Sequence, residues 1–134
     1  MTTFRCNVLR IAFAVLLTGS AGADEAPAID LPSGVSVTLL DVITHIPGQG
    51  LTYRFRFLAP HIAQGPDYAT VAPDMQFLCD SHALPRLANI GPVPNQIVIT
   101  MLDRLVDFGE ISPDAIQFFE AYRPDSDACV REDF

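Results

Sequence analysis

The chain has 134 residues, sixteen acidic side chains, eight arginines and no lysine, which gives a net charge of −8 at neutral pH. A chain this acidic and without a basic run is repelled by nucleic acid and by anionic membrane surfaces, so we expect neither as a partner. Its length suffices for one hydrophobic core but not for two.

The first 23 residues have the pattern of a secretory signal peptide. Arg5 and Arg10 form a basic region, the apolar run 11–17 follows, and residues 21–23 supply the small side chains of a cleavage site. The apolar run is too short for a permanent transmembrane helix, and an uncleaved N-terminal anchor is the alternative. Cleavage after Ala23 leaves six basic and sixteen acidic residues, a net charge of −10. We therefore expect a periplasmic or secreted protein without a membrane anchor.

Two cysteines remain after cleavage, because Cys6 lies in the signal peptide. An even number of cysteines in an exported chain predicts one disulfide, between Cys79 and Cys129. The alternative is metal handling, since Cys79 and His82 are one helical turn apart and could bind zinc or copper together with Cys129. A structural zinc site needs four ligands, and the other two histidines lie in or near predicted loops. The sequence therefore favours the disulfide.

Residue periodicity predicts an α+β fold, with an antiparallel sheet of five to six strands and one main helix packed on it. Residues 24–34 are rich in alanine, proline and acids and predict an extended leader ahead of a single domain over 35–134. In chain order, the domain is predicted to contain a strand at 35–42, a turn at 47–50, a strand at 51–58, a loop at 60–66, the main helix from 67 or 70 to 83, its end at Pro85, and a central hairpin at 95–109.

The strand over 51–58 has the clearest alternation of the chain. Its aromatic residues at 53, 55 and 57 face the predicted core, and Arg54 and Arg56 face the other way. Two guanidinium groups on one strand face could hold a carboxylate or phosphate in bidentate geometry. Alternatively, the arginines pair with the protein's own carboxylates or cover apolar surface with their stems.

The main helix is predicted from one apolar stripe, on which Val71, Met75, Leu78 and His82 fall on a single face. Pro73 suits a first turn, so the regular helix could begin there.

The central hairpin is predicted from a strand that is apolar on both faces, followed by the polar pair Asp103-Arg104 as a tight turn and by renewed alternation up to Gly109. Beyond it, residues 112–114 resemble a helix start. We expect a short helical turn at 113–116 and then a terminal hairpin that carries Cys129. A continuous helix to Tyr122 is the alternative.

Six parts of the sequence carry a resemblance to a known family: Leu84–Asn89, Gln96–Ile99, Asp103-Arg104, Phe108-Gly109, Gln117–Arg123 and Cys129. Together they resemble a group of small exported alphaproteobacterial proteins that is classed only as a domain of unknown function. The resemblance covers the chain from about residue 31 onward and implies export and a single domain, but no activity.

No catalytic constellation emerges from the sequence. Gly-x-Ser-x-Gly, His-Glu-x-x-His and glycine-rich phosphate motifs do not occur, and the neighbours Ser81 and His82 diverge on a helix, so they cannot form a nucleophile–base pair. The acids at 125, 127, 132 and 133 invite a calcium site, but the alternation of ligands breaks and the required glycine is missing, which favours a solvated turn.

We therefore expect no enzyme and no cofactor. The leading hypothesis is a non-enzymatic binding or accessory module of the cell envelope that engages another protein through an exposed sheet face or edge. The alternatives are a binder of, or enzyme for, a small anionic ligand at Arg54 and Arg56, and a metal-handling protein using Cys79 and His82.

Overall fold

Six strands form one sheet in the computed structural model, which describes residue 19 and residues 26–133. The signal-peptide prediction falls almost entirely outside these residues. The strands lie side by side in chain order. They are β1 (Ala28–Asp30), β2 (Ser36–Ile43), β3 (Thr52–Leu58), β4 (Gln96–Leu102), β5 (Gln117–Pro124) and β6 (Cys129–Arg131), and the helices are α1 (Tyr68–Leu78) and α2 (Leu87–Ile90).

All neighbouring strands are antiparallel except β3 and β4, which are parallel. Parallel neighbours need a crossover connection, and here α1 and α2 lie in that connection. The α+β class with one main helical segment and a mostly antiparallel sheet is therefore confirmed. The predicted extended segment before β2 includes β1, whose Ile29 pairs with Val37 at one edge of the sheet.

The predicted hairpin over 95–109 is wrong. Its first strand exists as β4, but β4 pairs with β3 and β5, and residues 103–116 form a loop. Asp103 closes the base of this loop instead of turning the chain, because its carboxylate accepts a hydrogen bond from the Ile116 backbone N–H at 2.9 Å, and its own N–H donates to the Ile116 carbonyl. A strand that is apolar on both faces suits a parallel pair that is covered on both sides, as β4 is.

The predicted main helix is confirmed as α1. Asp67 caps it by accepting a hydrogen bond from the Thr70 backbone N–H at 2.9 Å, so Pro73 lies inside the helix and not in its first turn. The prediction that Pro85 ends the helical path is wrong. The chain passes through a π turn (Cys79–Ala83) and a 3₁₀ turn (Leu84–Arg86) into α2, and these altered turns accommodate the proline without its N–H.

The core lies between α1 and one face of the sheet. The stripe residues Val71, Met75 and Leu78 are buried there against the aromatic residues of β3 and the odd-numbered residues of β4. The predicted disulfide between Cys79 and Cys129 is confirmed and joins the end of α1 to β6. The sheet has a second face on the side away from this core.

The predicted terminal hairpin is also confirmed as β5 and β6, and the continuous helix to Tyr122 is wrong. Alternation decides the outcome: Tyr122 is buried in the core while Phe119 is exposed on the second face, as a period of two requires.

None of the helices within residues 26–133 has the length and hydrophobicity needed to cross a bilayer.

Candidate functional site

Arg54 and Arg56 lie on the second face of the sheet, as predicted, but the structure gives them different partners. Arg56 is only 4% exposed, and its Nη1 donates to the Asp41 carboxylate at 2.7 Å. A β-bulge makes this pair possible. Leu39 pairs with Phe57 and Asp41 with Arg56, so one extra residue in β2 turns Asp41 toward the second face.

The loop between β4 and β5 covers the two arginines. Arg56 Nη2 donates to the Val106 carbonyl, and the Phe108 ring lies 5.7 Å from the guanidinium carbon of each arginine. Cation–π contact of this kind favours a guanidinium that has lost part of its hydration. The charge of Arg56 is therefore neutralised within the protein, as one of the sequence alternatives proposed.

Arg54 differs, because it forms no salt bridge with any residue that the structure describes. It is half-buried, its Nη1 donates to the Thr100 hydroxyl at 3.1 Å, and its Nε is buried without a hydrogen-bond partner. Burial lowers the pKa of Arg54, and the neighbouring positive charge of Arg56 lowers it further. Both effects describe a cation without a compensating anion.

A cavity of about 100 Å³ opens beside Arg54. Thr100 and Gln117 line it and could donate hydrogen bonds to an anion, since the Thr100 hydroxyl only accepts from Arg54 and keeps its own proton. Asp107 and Glu110 also line the cavity, and their charges oppose an anion. The space suits a group as small as a carboxylate or phosphate.

Exposed apolar side chains surround this arginine. Phe119 on β5 is 67% exposed, and it lies directly opposite Thr100 on the same face of the sheet. Phe108 is 45% exposed, and its ring lies 5.7 Å from the Arg54 guanidinium carbon. These four residues (Arg54, Thr100, Phe108 and Phe119) form a continuous set of neighbours, which we call the second-face surface. The covering loop adds two further exposed apolar residues, Leu105 and Ile111.

Cys79 and His82, the weaker metal candidates, have structural roles. Cys79 is bonded to Cys129, so no thiolate remains there for a metal. The His82 ring packs edge-on against Phe57 at 5.4 Å, and burial, followed by the charge of Arg86, lowers the pKa of His82. Over the described part of the chain, no three side chains of the histidine, cysteine, aspartate or glutamate type come together in a way that could hold a metal ion.

The acidic segment after β5 forms an exposed turn. Asp125 accepts a hydrogen bond from the Ser126 backbone N–H at 2.8 Å, the local pattern expected for aspartate in a turn.

Sequence reasoning missed a larger cavity of about 410 Å³, beside the first turns of α1. Its wall includes Asp74, which is only 3% exposed and accepts hydrogen bonds from the Ser33 hydroxyl at 2.7 Å and the Ser33 backbone N–H at 3.3 Å. The sequence contained an indication of this buried acid. Asp74 is a carboxylate next to the apolar stripe, three residues after Val71 and directly before Met75.

Comparison with known proteins gives a family but no activity. No curated protein matches the chain, and no solved structure matches it either. A family model described as a family of unknown function, DUF6497, matches residues 13–134. This match covers most of the chain, including the whole sheet and both helices. The protein therefore belongs to the DUF6497 family.

Proposed function

We propose that this protein is a non-enzymatic binding or accessory module of the cell envelope, and that it engages another protein through the second-face surface. The observation that carries the proposal is the exposure of Phe119 beside Arg54. Aromatic and arginine side chains are enriched where protein interfaces derive most of their binding energy. An aromatic side chain left two-thirds in water contributes little to the stability of the fold, since it buries little area.

Export is the second element of the proposal. The N-terminal pattern of a signal peptide supports it, and the Cys79–Cys129 disulfide is of the kind that persists in oxidising compartments. N-terminal sequencing of the protein recovered from the periplasm or the medium tests this directly. We expect the sequence to begin at Asp24, and an intact Met1 terminus in the mature pool would contradict it.

The partner is tested by affinity capture from periplasmic extract at near-physiological salt. Phe119→Ser removes the exposed aromatic group, and Val93→Ser is the matched control because Val93 is equally exposed but lies on the connection after α2. We expect the wild type and Val93→Ser to recover the same protein. Phe119→Ser should recover at least about 10-fold less of it. Equal recovery by Phe119→Ser, or no partner for the wild type, counts against the proposal.

A second candidate function is the binding of a small anion at Arg54. It is favoured by the half-buried guanidinium that lacks a carboxylate partner among the described residues and by the adjoining cavity. Acetate or phosphate should then raise the melting temperature of the wild type and of Arg123→Gln, an exposed matched control, but not that of Arg54→Gln. An equal rise in all three proteins would refute specific anion binding.

A further inference from the structure

The cavity beside α1 lies where three segments meet, away from the second-face surface. The turn between β1 and β2 contributes Ser33 and Val35, the 3₁₀ turn after β3 (Pro60–Gln64) contributes His61, and α1 contributes Thr70 and Asp74. With a volume of about 410 Å³ it falls within the range of small-molecule sites. It shares no lining residue with the cavity at Arg54.

Asp74 is the charged group of this cavity. It is 3% exposed, and its hydrogen bonds come from the Ser33 backbone N–H and hydroxyl, which are neutral donors. It forms no salt bridge with a residue in the described part of the chain. A buried carboxylate is normally paired with a cation or with charged donors, because burial removes it from water. Each of its oxygens accepts one of these bonds and can accept another.

The two hydroxyl groups of the cavity wall can only accept hydrogen bonds from a ligand. Ser33 Oγ donates its proton to Asp74 at 2.7 Å, and Thr70 Oγ1 donates its proton to Asp67 at 2.6 Å. Ionised carboxylates cannot donate in return, so the direction of both bonds is determined by the chemistry of the groups. The cavity therefore presents a carboxylate and two hydroxyl oxygens, all of which can accept hydrogen bonds from a ligand, beside the His61 ring, whose Nδ1 is buried without a hydrogen-bond partner.

We propose that this cavity binds a primary ammonium group carried on a short apolar chain. An ammonium group has three donors and no acceptor, which matches the carboxylate of Asp74 and the oxygens of Ser33 and Thr70. Val35 and Val71 line the same cavity and can contact the apolar chain. The inference does not depend on the second-face surface.

The charge balance of the protein agrees with a cationic ligand. The positive end of the α1 dipole disfavours a cation at this end of the helix. However, the Asp67 carboxylate already caps the first turn by accepting from the Thr70 N–H, and Asp74 lies about two turns beyond Asp67. The excess of acidic residues attracts cations over longer distances. Because the chain contains no lysine, neither this molecule nor a second copy can supply the ammonium group from a side chain.

The ammonium group could belong to a free amine or to a lysine of another protein, and two probes distinguish these sources. n-Butylammonium represents the free amine, and lysine blocked at both its α-amino and carboxyl groups represents a side chain in a polypeptide. Binding is followed by amide chemical shifts of the ¹⁵N-labelled protein, with n-butanol as the neutral control. We expect saturable shifts clustered at Ser33, Thr70 and Asp74 for the ammonium probes and none for butanol. The tighter of the two probes identifies the source.

Two variants test the site itself. Asp74→Asn keeps an acceptor for the Ser33 hydroxyl but removes the charge, and we expect about 10-fold weaker binding or more. Gln64→Trp places a bulky ring on an exposed residue of the cavity wall without touching the core, and we expect it to prevent binding. This variant tests the site even if Asp74→Asn fails to fold. Phe119→Ser should bind both probes like the wild type. The proposal is overturned if n-butylammonium causes no clustered shifts, if butanol causes the same shifts, or if Gln64→Trp binds unchanged.

Discussion

Reduction of the Cys79–Cys129 disulfide should lower the free energy of unfolding by about 4 kcal/mol. The two cysteines are 50 residues apart. In the chain-entropy model, a loop of this length removes about 14 cal/mol/K from the unfolded chain, which is about 4 kcal/mol at 25 °C. For a domain of roughly 110 residues this corresponds to a fall of roughly 15 °C in melting temperature.

The folded state should survive this reduction. Cys129 is held independently of its sulfur, because its backbone N–H donates to the Asp80 carboxylate at 2.7 Å and its carbonyl accepts from the Gln76 side chain at 2.9 Å. Both cysteine side chains are buried, so the reduced thiols stay in the core. The loss of stability should therefore come from the unfolded chain, which expands once the cross-link is gone.

Urea unfolding followed by circular dichroism, with and without a phosphine reductant, measures this difference. We expect a lower midpoint and a larger m-value for the reduced protein, since its unfolded chain exposes more surface. The double variant Cys79→Ala/Cys129→Ala is the control, and its unfolding curve should not respond to the reductant. A loss of less than about 1 kcal/mol after complete reduction would refute the entropic reasoning.

Three further predictions concern single side chains. Hydrogen bonds, first from Arg104 and then from the Ile116 N–H, hold the pKa of Asp103 below its ordinary value. The ionised carboxylate therefore stabilises the fold above about pH 4, the pKa of the unfolded chain. In urea unfolding, the stability advantage of the wild type over Asp103→Asn should shrink as the pH falls from 7 through the lowered pKa of the folded state. Asp41→Ala leaves the buried guanidinium of Arg56 without its carboxylate and should cost about 2 kcal/mol in the same assay, whereas an unchanged midpoint would show that the pair contributes nothing. Phe119→Ala should change stability by less than about 0.5 kcal/mol, because its ring is mostly in water; a larger loss would mean that this ring is part of the core.

The elements that sequence reasoning predicted correctly are those whose pattern lies within one segment. The alternation in β3 and the apolar stripe of α1 each indicate their own buried face, and both faces meet in the core. The disulfide was predicted from the even number of cysteines left after the predicted signal peptide, and this prediction needed no knowledge of the fold.

The wrong predictions concern partners that are distant in sequence. Asp103-Arg104 resembles a tight turn locally, but the strand that follows in space begins at Gln117, and the Asp103 carboxylate instead binds the Ile116 N–H across the loop. The clue available in the sequence was that β4 is apolar on both faces, which is typical of a strand in a parallel pair that is covered on both sides.

Of the second-face surface, sequence reasoning predicted Arg54 but not Thr100, Phe108 or Phe119, and it predicted none of the contacts. Alternation placed Arg54 and Arg56 on one face. The partner of Arg56 depends on the bulge at Leu40. There, two leucines followed by Asp41 interrupt the alternation of the strand, and sequence reasoning did not use this irregularity. The contact of both arginines with Phe108 depends on the path of a loop, for which periodicity carries no information.

The parallel pairing of β3 and β4 determines the order in which the chain can fold. Thr52 pairs with Gln96, 44 positions later, whereas β1 with β2 and β5 with β6 are joined by short connections. The conformational entropy of the whole crossover must therefore be lost before the contacts of the central pair form, so we expect this docking to be the slow step of folding. Until then β4, the most completely buried strand of the native sheet, presents two apolar faces and two open edges to other unfolded chains.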